Sequence, residues 1–520
     1  MNMSTLDWSI VGVLLLVIAG VAAYTKRYTR SVADFLSGNR CGRRYLLTMA
    51  EGMSAMSAVA FVAFFEQNYQ AGFGALWWRL LMLPVAVIIP MTGWVIYRFR
   101  ETRALTLAQF LEIRYSRKFR VCAGFLAWFA GLLNYGIFPG VTAKLMIHFC
   151  GLPSSFVLAG LTVPTFPVVM FIILGFGVTL TLAGGQIALM VTDFLQGQFV
   201  QLSLVTILFF FFLNFSVSDV VEGLKAAPEG VSMINPFKQE RVSDFNMWFF
   251  LMQATLSIYG FMAWQGGQGY YSAAKNPHEA KMGRILGGFR AISTPLLVGV
   301  VSVVAFAVFH GPAFQTEAAL IEEKIAAIAN PQVQVQMRVP MMLTHYLPAG
   351  MVGILASVFL AAAISADDSY LHSWGSIFIQ DVVMPFRKKK MGPREHLKWL
   401  RFSILGTAIF AFVFSMVFPL RDFILMYWRI TGSIFLGGAG AVIIGGLYWK
   451  RGTTAGAWCA MIIGGLLSLS GTLLSSYWRA VPFLTKLAPE CPLNGMQMSF
   501  GASGLAVLIY VVVSLLSRKE

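Results

Sequence analysis

Residues 360–381 read LAAAISADDSYLHSWGSIFIQD. The run is apolar enough to lie inside a hydrocarbon layer, yet it carries two adjacent aspartates, an imidazole and several hydroxyls. Ser365, Asp368, Ser369, His372 and Ser376 fall at i, i+3, i+4, i+7 and i+11, which places them on one face of a helix. Asp367 lies about 100° around the helix from Asp368. Ionisable groups at membrane depth are costly unless paired or hydrated, so they mark candidate functional positions. Oxygen atoms on one face suit a hard cation such as sodium. The same face also suits a proton relay, with Asp367 and His372 as stations, or a polar stripe that lines a water-filled cavity and binds no ion.

The rest of the chain supports membrane depth for this segment. Of 520 residues, 57% are hydrophobic and 12% charged, where soluble domains carry about 25% charged residues. Mean hydropathy is +0.71. A globule in water needs a charged exterior, and a disordered chain needs low hydrophobicity, so a soluble enzyme and a disordered protein are both excluded. What remains is an all-α polytopic membrane protein. About thirteen spans are expected, near 7–25, 45–73, 75–97, 121–149, 162–183, 186–214, 244–267, 284–310, 348–384, 397–418, 422–448, 454–476 and 499–517. The segment 105–120, LTLAQFLEIRYSRKFR, is too charged to cross and is expected as an amphipathic helix on the membrane surface.

The formal charge of +16 would indicate nucleic acid in a soluble protein. Here about 28 of the 39 Lys and Arg residues fall in alternate connections, and the positive-inside rule makes those connections cytoplasmic. They include Arg27, Arg44, Arg98, Arg120, Lys281, Lys389, Lys390, Lys450, Arg518 and Lys519. The N-terminus is then outside and the C-terminus inside, in a plasma (inner) membrane, and no nucleic-acid partner is implied. No basic residue precedes the first apolar run, so it lacks the flank of a signal peptide. Connections are short and carry no phosphate-binding GxxxxGK[ST] motif, so the chain reads as one transporter domain over 1–520, with no enzyme chemistry and no ATP drive. The five cysteines show no metal spacing, and Cys150 with Cys491 is the one pair open to a disulfide.

Other polar residues interrupt the spans. The second span carries Glu51, Ser54, Ser57, Glu66, Gln67 and Asn68, within a small-residue run that packs closely or unwinds. The sixth carries Asp193. Arg79 (GALWWRLLML) and Arg429 (MYWRITGS) are cations in apolar runs. Either each pairs with Glu66 or an aspartate, or one of them receives an anionic substrate, because a guanidinium fork matches a carboxylate. The stretch AWQGGQGYYSAAKNP, 263–277, is either a flexible helix end or an unwound segment beside a binding site.

Five stretches together resemble the sodium:solute symporter family. They are DFLSGNRCGRRYLLTMAEGMSAMSA (34–58), LTLAQFLEIRYS (105–116), LAGGQIALMVTDFLQGQ (182–198), the 360–381 segment, and GGLYWKRGTTAGAWCAMIIGG (445–465). The resemblance covers roughly 8–475 and implies a LeuT-like core of two inverted five-helix repeats, spans 2–6 and 7–11. Span 1 and residues 449–520 are then peripheral. It implies cation-coupled symport of a small organic solute by alternating access, with sodium as the coupling ion and no covalent cofactor. A proton-coupled symporter of the same fold, or a transporter-like membrane sensor, is the alternative.

The resemblance also implies sites. One sodium site would use carbonyls of Met53, Met56 and Ala362 with the side chains of Ser365 and Ala366. A second would use Asp193, Ser365, Asp368 and Ser369. Substrate positions would fall at Ala58, Arg79, Gln265, Trp428 and Arg429. This chain departs from the family at several of them. Ala366 lacks a usual hydroxyl, and Asp367 and Asp368 replace neutral residues. Gln265 is followed by Tyr270 where an arginine is common. Arg79 and Trp428 stand where sugar carriers hold a glutamate and a glutamine. A sugar would lose two hydrogen-bond partners there, while an organic anion such as a carboxylate would gain a cation.

Overall fold

The structure is a computed structural model that describes residues 2–517 apart from 105–106, 240, 243, 389–390 and 490, with only the backbone of Gln268. Leu105 and Thr106 of the expected surface helix, and Lys389, Lys390, Arg518 and Lys519 of the basic connections, lie outside the described residues.

The helices of eleven residues or more begin with α1 (Thr5–Thr25), α2 (Arg44–Ser54), α3 (Ala58–Thr92), α4 (Arg117–Tyr135), α5 (Phe138–Cys150) and α6 (Thr165–Asn214). They continue with α7 (Met247–Tyr259), α8 (Pro277–Arg290), α9 (Ser293–His310), α10 (Gln315–Ala326) and α11 (Pro331–Tyr346). The last are α12 (Met351–Ile377), α13 (Pro393–Val417), α14 (Ile424–Tyr448), α15 (Thr454–Tyr477) and α16 (Gly495–Leu516). A small antiparallel hairpin, Ser155–Leu158 with Leu161–Pro164, precedes α6.

Among the described residues, ten helical segments are long and apolar enough to cross a membrane, so the thirteen expected spans are not matched one for one. Three features account for the difference. The 50 residues of α6 would run about 75 Å at 1.5 Å per residue, more than twice the ~30 Å of a hydrocarbon core. The helix is broken at Gly185, whose φ of 51° and ψ of −152° are not helical. In the same way α3 breaks at Gly72, with φ of 55°. Finally, α7 has only 13 residues because the span expected over 244–267 unwinds after Tyr259. The amphipathic helix expected over 105–120 is shorter than its charge pattern suggested. A helix covers Leu107–Arg114, and α4 starts afresh at Arg117, where the Ser116 hydroxyl accepts from the Phe119 amide at 3.2 Å.

The quoted segment forms the centre of the fold. In its most apolar window 89% of α12 is buried, against 22% for α1. α12 packs along α6, α13 and α1, and also meets α2. Its N-terminus is capped from another helix: Asp7 Oδ1 of α1 accepts the Gly350 and Gly353 amides, each at 2.7 Å, and so satisfies donors that a helix end leaves free. α14, α15 and α16 pack on one another. A Cβ on Gly438 of α14 would lie 2.5 Å from Met461 Cα of α15, so the two backbones approach at a distance only glycine permits.

Two helices are interrupted where the site lies. Between α2 and α3 the chain is non-helical over 55–57, and Ser57 Oγ caps α3 by accepting from the Ala60 amide at 2.9 Å. After α7 it turns irregularly over 260–264 before a short helix at Gln268–Ser272. Each interruption exposes backbone groups that an intact helix would satisfy internally, and at membrane depth irregular backbone belongs beside a cavity or a site. All five cysteines are free, and Cys150 is buried, so the disulfide left open with Cys491 is not formed.

Candidate functional site

Two polar regions meet at these interruptions. The first gathers around Asp193 of α6. Ser365 of α12 donates to Asp193 Oδ1 at 2.5 Å. The Tyr270 hydroxyl donates to Asp193 Oδ2 and lies 2.7 Å from Ser369 Oγ. Ser369 in turn reaches Asp368 Oδ1 at 3.4 Å, while Asp368 Oδ2 has no partner among the described residues. Asp193, Ser365 and Asp368 are wholly buried. The four residues assigned to the second cation site are therefore brought together, with Tyr270 as a fifth member. Hydroxyl and carboxylate oxygens of this kind are the ligand chemistry of hard cations, and an unpartnered buried carboxylate oxygen is the atom such a cation would satisfy.

The other positions on α12 divide. Met53 and Met56 sit at the α2 break, and Ala362 and Ala366 are fully buried on α12, which α2 meets. The Met53 carbonyl accepts from the Met56 amide at 2.9 Å, so in this conformation it is engaged in the last turn. Asp367 Oδ1 accepts from the Tyr135 hydroxyl of α4 at 2.9 Å, away from the Asp193 cluster. His372 Nε2 lies 2.8 Å from the Phe35 carbonyl, and its ring packs on Phe35 with centroids 5.3 Å apart. The proton relay drawn from helical spacing is not assembled: no hydrogen bond joins Asp368 to His372 or Asp367 among the described residues. A shared helical face brings side chains near one another, but here a backbone carbonyl and a tyrosine outside α12 take the imidazole and one carboxylate.

The second region is a cavity of about 500 Å³ between the two interruptions. Ser54 and Ser57 border it from the α2–α3 break, and Trp264 and Gly266 from the break after α7. Arg79, Trp428 and Arg429 line it as the sequence suggested. Ala58 and Gln265 do not: Ala58 is fully buried at the start of α3, and Gln265 is buried to one side with both side-chain polar atoms unpartnered. Turning at an unwound segment moves one residue toward the cavity and its neighbour away, which a sequence position alone does not specify. An adjoining cavity of about 400 Å³ shares Glu51, Phe64, Arg79 and Arg284 and adds Arg290.

Neither arginine pairs with an acid among the described residues. The Arg79 guanidinium stacks on Phe64, 3.3 Å from the ring centroid, and its Nη1 has no hydrogen-bond partner. Glu66, the partner considered for it, instead accepts from Gln332 Nε2 at 3.1 Å and the Ile424 amide at 3.2 Å. Glu51 forms an ion pair with Arg284 and accepts from the Tyr271 hydroxyl at 3.1 Å. A second pair, Arg44 with Glu279 at 2.6 Å, ties α2 to α8. Beside it the Lys275 amide donates to the Gly42 carbonyl at 2.9 Å.

Sequence reasoning missed several wall residues. Asn134 lines the cavity and donates to the Trp428 carbonyl at 3.1 Å and to Thr431 Oγ1 at 3.0 Å. Its signal was a lone amide in an apolar span. Tyr370 lines the cavity too, next to the acids already singled out. Gln253 and Ser257 of α7 also reach it.

Comparison with known proteins finds the same architecture. The family model for the sodium:solute symporter family matches residues 35–464. The osmoregulated proline transporter OpuE of Bacillus subtilis is 24% identical over 87% of this chain and 86% of its own length. The sodium/pantothenate symporter of Haemophilus influenzae is 25% identical over 90% of each chain. The sodium/glucose cotransporter of Vibrio parahaemolyticus is 23% identical over 94% of this chain and 88% of its own. A solved structure described as the substrate-bound outward-open state of a Na+-coupled sialic acid symporter superimposes with a TM-score of 0.75 at 16% identity, covering 99% of this chain and 98% of that one.

Proposed function

The chain belongs to the sodium:solute symporter family, and on that premise we propose that it carries a small organic anion, a carboxylate, across the membrane together with sodium. The relatives are named for proline, pantothenate and glucose, so the family sets the mode of transport and leaves the solute to the cavity. Thirteen crossings with the N-terminus outside and the C-terminus in the cytoplasm of a plasma (inner) membrane accord with the distribution of basic residues. Sodium would be held by the oxygens of Asp193, Ser365, Asp368 and Ser369, and a second ion by the carbonyls of Met53, Met56 and Ala362 with Ser365. Binding there favours one of two conformations, and that difference in affinity is the coupling. The ties between α2 and α8, Arg44 with Glu279 and Glu51 with Arg284, hold the ends that the basic connections place in the cytoplasm. Parting them would let the solute leave inward.

The observation that carries the reading is the meeting of an oxygen-lined acid cluster and an arginine-lined cavity at two helix interruptions. The test is counterflow of labelled organic acids into proteoliposomes with and without a sodium gradient. Sodium-dependent accumulation of a carboxylate is expected. Binding without counterflow would make the protein a sensor, and accumulation driven by a pH gradient in sodium-free buffer would replace sodium with a proton.

A further inference from the structure

The charges that line the 500 Å³ cavity are Glu51, Arg79, Arg284 and Arg429. Glu51 and Arg284 already neutralise one another. Arg79 and Arg429 are left with no carboxylate partner among the described residues, although both line this one cavity. They come from different helices, α3 and α14, and line a space whose wall includes the aromatic rings of Phe64, Phe138, Trp264 and Trp428. Two buried cations without counter-charge are expensive in a low-dielectric site, and the compensation missing is two negative charges. A neutral sugar or a zwitterion supplies none, and a monoanion supplies one.

We propose that the substrate is a dianion, a short dicarboxylate with an apolar spine, that places one carboxylate on Arg79 and the other on Arg429. The cavity volume falls within the range of about 300–1,000 Å³ usual for small-ligand sites. Each guanidinium offers a planar fork that fits one carboxylate with two hydrogen bonds. Two forks carried by different helices, α3 and α14, offer one cradle to each of two carboxylates, whereas a compact phosphate presents a single centre. Aromatic rings of the same lining, such as Phe138 and Trp264, offer the spine apolar surface.

This inference rests on the symport reading, and the experiment separates the two. Sodium-dependent uptake into proteoliposomes is measured for succinate, glutarate, butyrate, glycerol 3-phosphate, proline and glucose, with wild-type protein and with Arg79→Gln and Arg429→Gln. Thermal melting with and without sodium serves as the folding control. A dicarboxylate should be the preferred cargo. Arg429→Gln should weaken it by about 10- to 100-fold, the range that losing one charge-assisted contact produces, and should weaken butyrate by a smaller factor, because a monoanion can still use Arg79, so that selectivity moves from dianion toward monoanion. Equal losses for butyrate and the dicarboxylate would overturn the assignment, because a merely structural arginine lowers both alike. Preference for butyrate, proline or glucose in the wild type also overturns it while leaving symport intact. Preference for glycerol 3-phosphate overturns the two-carboxylate form. Sodium-independent behaviour with every solute defeats the symport reading itself.

Discussion

The acid cluster around Asp193 and the arginine cavity beside it answer their charges in opposite ways. Asp193 is closed in by the protein's own donors, with Ser365 on one oxygen and Tyr270 on the other. Arg79 and Arg429 line open volume, and neither is paired with an acid among the described residues. Buried charge must be balanced either internally or by a ligand. In the proposed carrier, a cation entering the cluster would replace these donated hydrogen bonds with its own contacts to the oxygens. In the proposed coupled carrier, an ion bound at this cluster would report its occupancy through hydrogen bonds that run between α6, α12 and the segment after α7.

The largest expected effect breaks the first half of this comparison. Asp193→Asn keeps the shape but removes the negative charge and turns an acceptor into a donor facing Ser365 and Tyr270. Sodium activation of uptake should weaken by at least about 100-fold, because the number of carboxylate ligands sets hard-cation affinity over decades. Expression should stay near wild type, with melting in sodium-free buffer lowered modestly because one buried hydroxyl loses its carboxylate acceptor. Unchanged sodium dependence would remove Asp193 from the cation system.

A smaller effect tests the second half. Glu51→Gln would leave Arg284 as a third uncompensated cation on the cavity wall. An anionic substrate should then bind more tightly and leave more slowly, with turnover falling by about tenfold, the consequence of about 1.4 kcal/mol of added ground-state binding. Steady-state uptake at saturating substrate, read beside equilibrium binding, checks it. Weaker binding of the anion would mean that Glu51 supports the cavity structurally and does not balance Arg284.

The sequence and the structure agree on what composition and helical period control. Long apolar runs gave the membrane class, and the spacing of Ser365, Asp368 and Ser369 gave a common face that does meet Asp193. Small residues in EGMSAMSA left unwinding open at the break found over 55–57, whereas the glycines of WQGGQG pointed a few residues beyond the break at 260–264, which falls inside the span expected over 244–267. Relations between helices were not legible. His372 satisfied the i+4 rule with Asp368, yet the Phe35 carbonyl 337 positions away in the chain takes its Nε2. Glu66 looked like a counter-ion for Arg79 and instead accepts the Ile424 amide at the start of α14. Such partners are set by packing between distant segments, and one chain read alone carries no record of it. Tyr270 was visible as a departure from the family's pattern, while its place against Asp193 depends on how the segment after α7 unwinds.

That position gives the smallest effect and the finest test of the comparison. Tyr270→Phe removes a hydroxyl that donates to Asp193 and lies 2.7 Å from Ser369 Oγ. Without sodium, Asp193 Oδ2 and the Ser369 hydroxyl lose a partner in a dry environment, which costs about 1–3 kcal/mol, so the melting temperature in sodium-free buffer should fall. With sodium, the two freed oxygens become available to the ion, and no tyrosine proton has to be displaced to reach them. The sodium-induced rise in melting temperature should therefore be larger than in the wild type, and sodium affinity should increase by a few-fold. The sign decides between two roles. If the tyrosine oxygen were itself a ligand, its removal would lower sodium affinity and shrink the shift. A larger shift on a less stable protein means that Tyr270 occupies the cluster in sodium's place. It would then link the proposed ion site to the interrupted helix that borders the cavity.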